Sequence, residues 1–466
     1  MERPDPKRWL ALALLCAAQF IVILDTSIIG VALPAIQLDL GFTPEGLSWI
    51  FNAYVIAFGG LLLLGGKLGD VFGARRMFML GFFILTAASL VAGLAGNQEV
   101  LLAGRALQGV GAALIAPSAL AIVMRLFAHN GAELGRAFGF WGAAAAAGGT
   151  AGVFLGGVIT EWMSWPWTFL VNVPLGVIVF LLTPTVILYG APSVGRIDWL
   201  GAGTVTAALI TAVYAIVTTE PGQWTSINTL LLIAAAAVLL LVFLIIQAIR
   251  KEPLLPLRIF AAPNLAAGNI LMALLGAAWI PLWFYLNLYL QQTLQLSALA
   301  SGLALLPMTV IIMIVMVGFS GKIIARLGVK AGIVLGFIAM GAALIFLAGV
   351  PANGDYFVNV LPASALAALG MALAYIPVTM SGMAGARPEE TGLASGLVNT
   401  TYQVGSAIGL AVMVVVAAAA SPDNASDLLS GFHAAFSGAA WVAFAGAVVA
   451  LLFLRGAPAA KEVPVG

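Results

Sequence analysis

The chain has 466 residues, of which 62% are hydrophobic and only 8% charged, with a net charge of +1. Soluble domains carry roughly 25% charged residues, so a soluble globular fold is excluded, and so small a net charge gives no reason to expect a nucleic-acid partner. The lone cysteine, Cys16, leaves no internal disulfide framework.

Apolar runs of about 20 residues, each able to cross a hydrocarbon core of ~30 Å as a helix, recur along the whole chain. They predict fourteen spans: 9–33, 46–66, 77–97, 100–124, 135–158, 166–188, 198–219, 226–249, 265–290, 299–321, 331–350, 356–381, 392–418 and 431–454. A membrane barrel would instead show alternating segments of ~10 residues. Lys7 and Arg8 precede the first run, but it is too long for a signal peptide, contains Asp25 and lacks a small-x-small cleavage site. It is read as span one.

With the amino terminus in the cytoplasm, the cytoplasmic segments hold 18 of the 19 Lys and Arg residues: Arg3, Lys7, Arg8, Lys67, Arg75, Arg76, Arg125, Arg136, Arg196, Arg250, Lys251, Arg258, Lys322, Arg326, Lys330, Arg387, Arg455 and Lys461. The external loops hold only acids: Asp39, Glu45, Glu99, Glu161, Glu220, Asp355, Asp423 and Asp427. Loop Lys/Arg bias sets orientation. The expectation is a multi-pass protein of the cell (inner or plasma) membrane with both termini cytoplasmic, and a monomer.

A repeat marks two halves. Gly66-Lys-Leu-Gly-Asp70-Val-Phe-Gly73-Ala-Arg75 follows span two, and Gly321-Lys-Ile-Ile-Ala325-Arg-Leu-Gly328-Val-Lys330 follows span ten. Repeated halves with a site between them are a mark of secondary transporters. The expected fold is an all-α membrane protein: an amino-terminal six-helix bundle (1–190), two inserted helices (191–255) and a carboxy-terminal six-helix bundle (256–466). The repeat breaks at one place, where Asp70 becomes Ala325.

Two ionisable residues lie inside spans, where charge is expensive and functional by default. Counting about 1.5 Å per residue from the outer ends of spans one and four puts Asp25 ~12 Å and Arg105 ~8 Å below the same surface. They are expected to pair, which lowers the cost of burying both. A cation favours a carboxylate's ionised form and desolvation opposes it, so such a pair can switch its proton as the cavity changes wetness. Snorkelling of Arg105 to the outer interface is the alternative.

In the first turn, Gly66, Gly69 and Gly73 permit a tight bend, Asp70 can accept from a helix amino terminus or a guanidinium, and Arg75 and Arg76 anchor the face. This turn closely resembles the signature loop of the major facilitator superfamily, G-x-L-x-D-x-x-G-x-[RK]-[RK], matching at Gly66, Leu68, Asp70, Gly73, Arg75 and Arg76. Arg105-Ala-Leu-Gln108-Gly109-Val-Gly111 resembles that superfamily's fourth-span motif, whose arginine is associated with proton coupling. Leu24-Asp25-Thr-Ser-Ile-Ile-Gly30-Val-Ala-Leu-Pro34 resembles the first-span motif of its drug:proton antiporters, and Gly148, Gly152, Gly156 and Gly157 follow the fifth-span antiporter motif. The segments 167–176, 253–260 and 392–400 are similar to the fourteen-span branch. Two positions depart from the pattern: Val153 stands where the fifth-span motif has proline, and Gly30 where the first-span motif has asparagine.

The resemblance implies proton-coupled efflux of hydrophobic or cationic drugs and antibiotics by alternating access. It also implies a latch between Asp70 and the amino terminus of span thirteen near Thr391. The expected partners are a small hydrophobic or cationic substrate, protons and the lipid bilayer. Polar or aromatic residues that could line the cavity are Gln19, Asn52, Tyr54, Gln108, Trp279, Trp283, Tyr285, Asn287, Asn399, Tyr402 and Gln403. A dedicated exporter or importer of one metabolite shares the same motifs. An intramembrane enzyme would need clustered His, Cys, Asp or Glu in the spans; no such cluster is found, with His129 in a cytoplasmic loop and His433 at the outer entry of span fourteen, so no metal and no cofactor is expected.

Overall fold

A computed structural model describes residues 6–43, 46–127, 131–187, 197–219, 223–262, 264–385, 391–421 and 428–455. Arg3, Glu45, His129, Arg196, Glu220, Arg387, Asp423, Asp427 and Lys461 lie outside the described residues. Among those described, fourteen helices are long and apolar enough to cross a membrane. Helical spans satisfy every backbone group internally, which hydrocarbon demands.

The first half comprises α1 (Arg8–Leu40), α2 (Trp49–Phe72), α3 (Ala74–Gly93), α4 (Gln98–Phe127), α5 (Gly131–Trp162) and α6 (Asn172–Val186). Then come α7 (Trp199–Thr218) and α8 (Ile227–Ile249). The second half comprises α9 (Leu265–Leu288), α10 (Ala298–Met313), α11 (Ser320–Leu347), α12 (Leu361–Met383), α13 (Thr391–Ala420) and α14 (Leu428–Phe453). The helix α1 runs past the expected end at Leu33, through Pro34, to a left-handed cap at Gly41 (φ 70°). The missing proline N–H costs one bond, but neighbouring helices hold the span. Asp25 is therefore further from the end of its helix than the sequence suggested.

Packing repeats between the halves. In the first, α1 packs on α5 and α6, α3 on α4 and α6, and α2 on α4. In the second, α9 packs on α13 and α14, α11 on α12 and α14, and α10 on α12. Each contact has its counterpart eight helices later. Two large seams join the bundles, α5 against α10 and α2 against α13, and a third, smaller seam sets α1 against α9. The inserted α7 packs on both α2 and α13, outside that second seam, and α8 packs on α7. At one end of the inserted pair, Asp198 accepts from Gln247 Nε2 (2.8 Å) and caps α7 through Gly201 N–H (2.9 Å).

The repeated turns share a backbone. Gly73 has φ 93° and Gly328 has φ 78°, a region that disfavours side chains. The basic residue two positions on does the same work in each half. Arg75 Nη2 donates to the Pro184 carbonyl near the end of α6 (3.2 Å). Lys330 Nζ donates to the Leu451 and Leu454 carbonyls at the end of α14 (2.8 and 2.9 Å). Both cations sit at a helix carboxy terminus, where the dipole favours them.

Candidate functional site

Asp25 and Arg105 form an ion pair in the core of the first bundle. Arg105 Nη1 donates to Asp25 Oδ2 at 3.0 Å, and neither side chain is exposed. Snorkelling is therefore not what Arg105 does. Its Nη1 also donates to Gln108 Oε1 (2.8 Å) and its Nε to the Ile50 carbonyl (2.9 Å). The guanidinium lies over the Tyr54 ring, 4.5 Å from the centroid, an arrangement that favours a desolvated cation.

The other carboxylate oxygen is held as tightly. Asp25 Oδ1 accepts from Gln108 Nε2 and from Asn172 Nδ2, each at 2.7 Å. Gln108 Nε2 also donates to Ser89 Oγ (2.8 Å). The knot draws on α1, α2, α3, α4 and α6, every helix of the bundle except α5. Charge-assisted bonds of this kind are the strong ones. Arg105 and Gln108 are three residues apart on α4 and so face the same way. Arg105 Nη2 and Asn172 Oδ1 are buried with no partner among the described residues.

Ser89, Asn172 and the Ile50 carbonyl were not legible as members. Asn172 stands in a recognisable segment, but nothing in its spacing points it at Asp25. Ser89 is one small hydroxyl in an apolar run, and a backbone carbonyl carries no sequence signal.

The fifth-span glycines divide their work. A Cβ at Gly148 would lie 2.6 Å from the Phe20 carbonyl oxygen, at Gly152 2.7 Å from Ser27 Cβ, and at Gly156 2.7 Å from the Ile28 carbonyl oxygen. These three, at spacing four, seat α5 on α1 just beside Asp25. Gly157 faces the other bundle, where a Cβ would meet the Ala298 carbonyl oxygen at 2.8 Å. Val153 presents its carbonyl to Gly302 of α10 on the same seam, and α5 runs on without a proline break.

Gly66 and Gly69 lie within the last turns of α2 rather than in the bend, which falls at Gly73 alone; Gly66 approaches Pro117 and Gly69 approaches Ser118 of α4. Asp70 and Arg76 are exposed and Arg75 is buried. Lys67 pairs with Glu252 beyond α8 (3.5 Å). The expected latch partner adjoins residues 386–390, which lie outside the described residues, as does the Thr391 side chain.

The remaining cavity candidates scatter. Asn52 and Tyr54 are fully buried, and the polar atoms of both lack partners among the described residues. Trp279 and Trp283 form an edge-to-face pair at 6.4 Å, and Tyr402 meets Tyr375 at 6.0 Å. Tyr285 turns away, donating to the Met413 carbonyl (3.3 Å). Asn287 is buried between the bundles, Gln403 packs on Gly59 of α2, and Gln19 is partly exposed on α1. Asn399 is exposed and donates to Ser395 of its own helix (3.2 Å).

Comparison with known proteins agrees with this architecture. The Major Facilitator Superfamily profile matches residues 15–410. A cephamycin export protein of Amycolatopsis lactamdurans is 36% identical over 92% of this chain and 89% of its own length. A puromycin resistance protein of Streptomyces alboniger is 34% identical over 91% of this chain and 85% of its own. The crystal structure of the POT family transporter PepTSo superposes with a TM-score of 0.70 at 15% identity, over 97% of this chain and 98% of that one. The repeated bundles, the buried pair and these matches lead to one family: the chain belongs to the major facilitator superfamily and is a membrane transporter, not an enzyme.

Proposed function

We propose that the protein exports hydrophobic or cationic small molecules, drugs and antibiotics among them, from the cytoplasm in exchange for protons. The observation that carries this reading is the Asp25–Arg105 knot: one fully buried carboxylate receiving three side-chain donors from three residues. A carboxylate so held is a charge switch for a whole bundle. Its protonation would cancel the charge that Arg105 answers and weaken the ties from α4 and α6 to α1. Deprotonation would restore them. A relative that exports cephamycin and another that confers puromycin resistance support efflux over uptake.

The bundles 1–190 and 256–466 are the bodies that rock, with 191–255 riding on the α2–α13 seam. With both termini cytoplasmic, the ends of α1 and α5 and the start of α10 are external. There the bundles meet: Gln292 Nε2 donates to Gln37 Oε1 (2.9 Å), and Glu161 Oε2 accepts from Leu299 N–H (2.8 Å). These contacts would have to part for release outside. Asp70 acts at the opposite face as the latch of the outward-open form. The test is transport by protein reconstituted in liposomes under an imposed pH gradient. Asp25→Asn should abolish gradient-driven export while leaving substrate binding; unchanged export would remove the proton switch. Asp70→Asn should shift the inward–outward population read by distance labels.

A further inference from the structure

The amide absent from α1 at Gly30 is met by one from the opposite bundle. Asn287 of α9 is fully buried, and its Nδ2 lies 3.0 Å from where a Cβ on Gly30 would sit. Its Oδ1 accepts from Ser301 Oγ (3.1 Å) and from Gln291 Nε2 (2.8 Å). Those two bonds fix the amide's orientation and direct Nδ2 at α1. Gln291 Nε2 in turn reaches the Val31 carbonyl across the seam (2.9 Å). Yet Nδ2 itself has no acceptor among the described residues. A buried donor left unmade is destabilising, and such an exception in a native core calls for a role.

The surroundings say what the role is. Trp283 and Trp279 lie one and two turns before Asn287 on α9, and Trp283 is partly exposed. Helical neighbours at this spacing share a face. Directly after Asn287 the helix widens into a π-helical turn, Tyr289–Thr293, a device frequent at functional sites. The α9 wall facing α1 therefore offers an aromatic pair and, roughly 6 Å beyond Trp283 and roughly 12 Å beyond Trp279 along the helix, a single spare N–H. No charge accompanies it on this stripe.

We propose that Asn287 is a substrate-recognition residue, and that with Trp283 it selects neutral planar aromatic molecules carrying a carbonyl or hydroxyl oxygen. This rests on the export reading above and narrows its substrate class. As the bundles part at this end, α1 withdraws and the spare donor opens to cargo already loaded from the cytoplasmic side, so Asn287 reads it in the outward-facing cavity. Gly30 is the space that lets the amide stand there when the seam is closed.

The test is binding of two fluorescent probes to the purified protein: quinizarin, a neutral hydroxyanthraquinone, and ethidium, a planar cation without a carbonyl. Asn287→Asp keeps an acceptor for Ser301 and Gln291 but loses the donor, so it separates recognition from packing. Quinizarin should bind about fivefold more weakly to Asn287→Ala and to Asn287→Asp. Ethidium should be unchanged in the first and tighter in the second. Equal weakening of both probes would make Asn287 a packing residue. Unchanged quinizarin affinity, or none in the parent protein, would overturn the assignment outright. The export reading fails separately: Asp25→Asn with intact gradient-driven export removes the coupling but leaves these affinities, and the role of Asn287, as measured.

Discussion

The two bundles share a packing plan and differ in what they bury. In the first, α5 lies on α1 through Gly148, Gly152 and Gly156. In the second, α13 lies on α9 through Gly405 and Gly409, which approach the backbone at Ala273 and Ala277. The scaffold is the same, but the cores are not. The first holds an anion, a cation and three neutral polar side chains in one network. The second holds neutral amides: Asn269, bonded to the Leu265 and Gly382 carbonyls and to Thr401, and Asn287 on the seam. Close packing by small residues carries the fold in both, so the buried charge, which among the described residues of the two bundles is found only in the first, marks where the chemistry differs.

The sharpest way to break this comparison is to leave the carboxylate without its cation. Arg105→Met should destabilise the protein by about 3–5 kcal/mol, the cost of an unpaired buried charge. Thermal unfolding in detergent reads it. Adding Asp25→Asn should restore most of that stability while gradient-driven transport stays absent. A single variant as stable as the parent would mean that the pair does not hold the first bundle.

Asn172→Ala tests the neutral part of the network. Asp25 Oδ1 would keep Gln108 and lose one of its two donors. Hydrogen bonds to charged groups are worth about 1.5–3 kcal/mol, so stability should fall by that order and transport should shift in its pH dependence. The matching change in the second bundle, Asn269→Ala, should lower stability without moving the pH profile. A shifted profile there would erase the distinction between the bundles.

Gly152→Leu and Gly409→Leu probe what the bundles have in common. Each puts a side chain where backbone now sits, and overpacking costs about 1–3 kcal/mol. Their unfolding temperatures should drop by similar amounts. A much larger loss at Gly152 would mean that the α1–α5 contact serves the Asp25 knot as well as the fold.

Much of this was readable from residue order, for physical reasons. Charges are so costly in hydrocarbon that Asp25 and Arg105 stood out, and their similar depth was enough to pair them. Gly148, Gly152 and Gly156 stood out as parts of a motif, though not as the seat of α1. Fourteen spans followed from hydropathy and loop charge. What stayed hidden depends on how helices rotate about their axes. Asn172 and Ser89 are ordinary polar residues until α6 and α3 turn them toward Asp25. Span one was bounded at residue 33, and the neighbouring helices carry α1 on through Pro34 to Leu40. Gly30 read as a missing amide in one span; only the seam shows that Asn287 occupies the space from the other side.

The smallest expected effects lie at the repeated turns, and they bear on how far the symmetry goes. Arg75 and Lys330 cap the ends of α6 and α14 in the same way. A cation at a helix carboxy terminus is worth about 0.3–1 kcal/mol, so Arg75→Ala and Lys330→Ala should cost similar, small amounts of stability in chemical or thermal unfolding. Their effects on transport should diverge. Arg75 stands five residues beyond Asp70, and Lys330 five beyond Ala325. If Asp70 is the latch, only the first turn carries it. Loosening Arg75 should then alter the inward–outward population, and loosening Lys330 should not. Equal shifts from both would mean that the caps, rather than the acid, set the balance at that face.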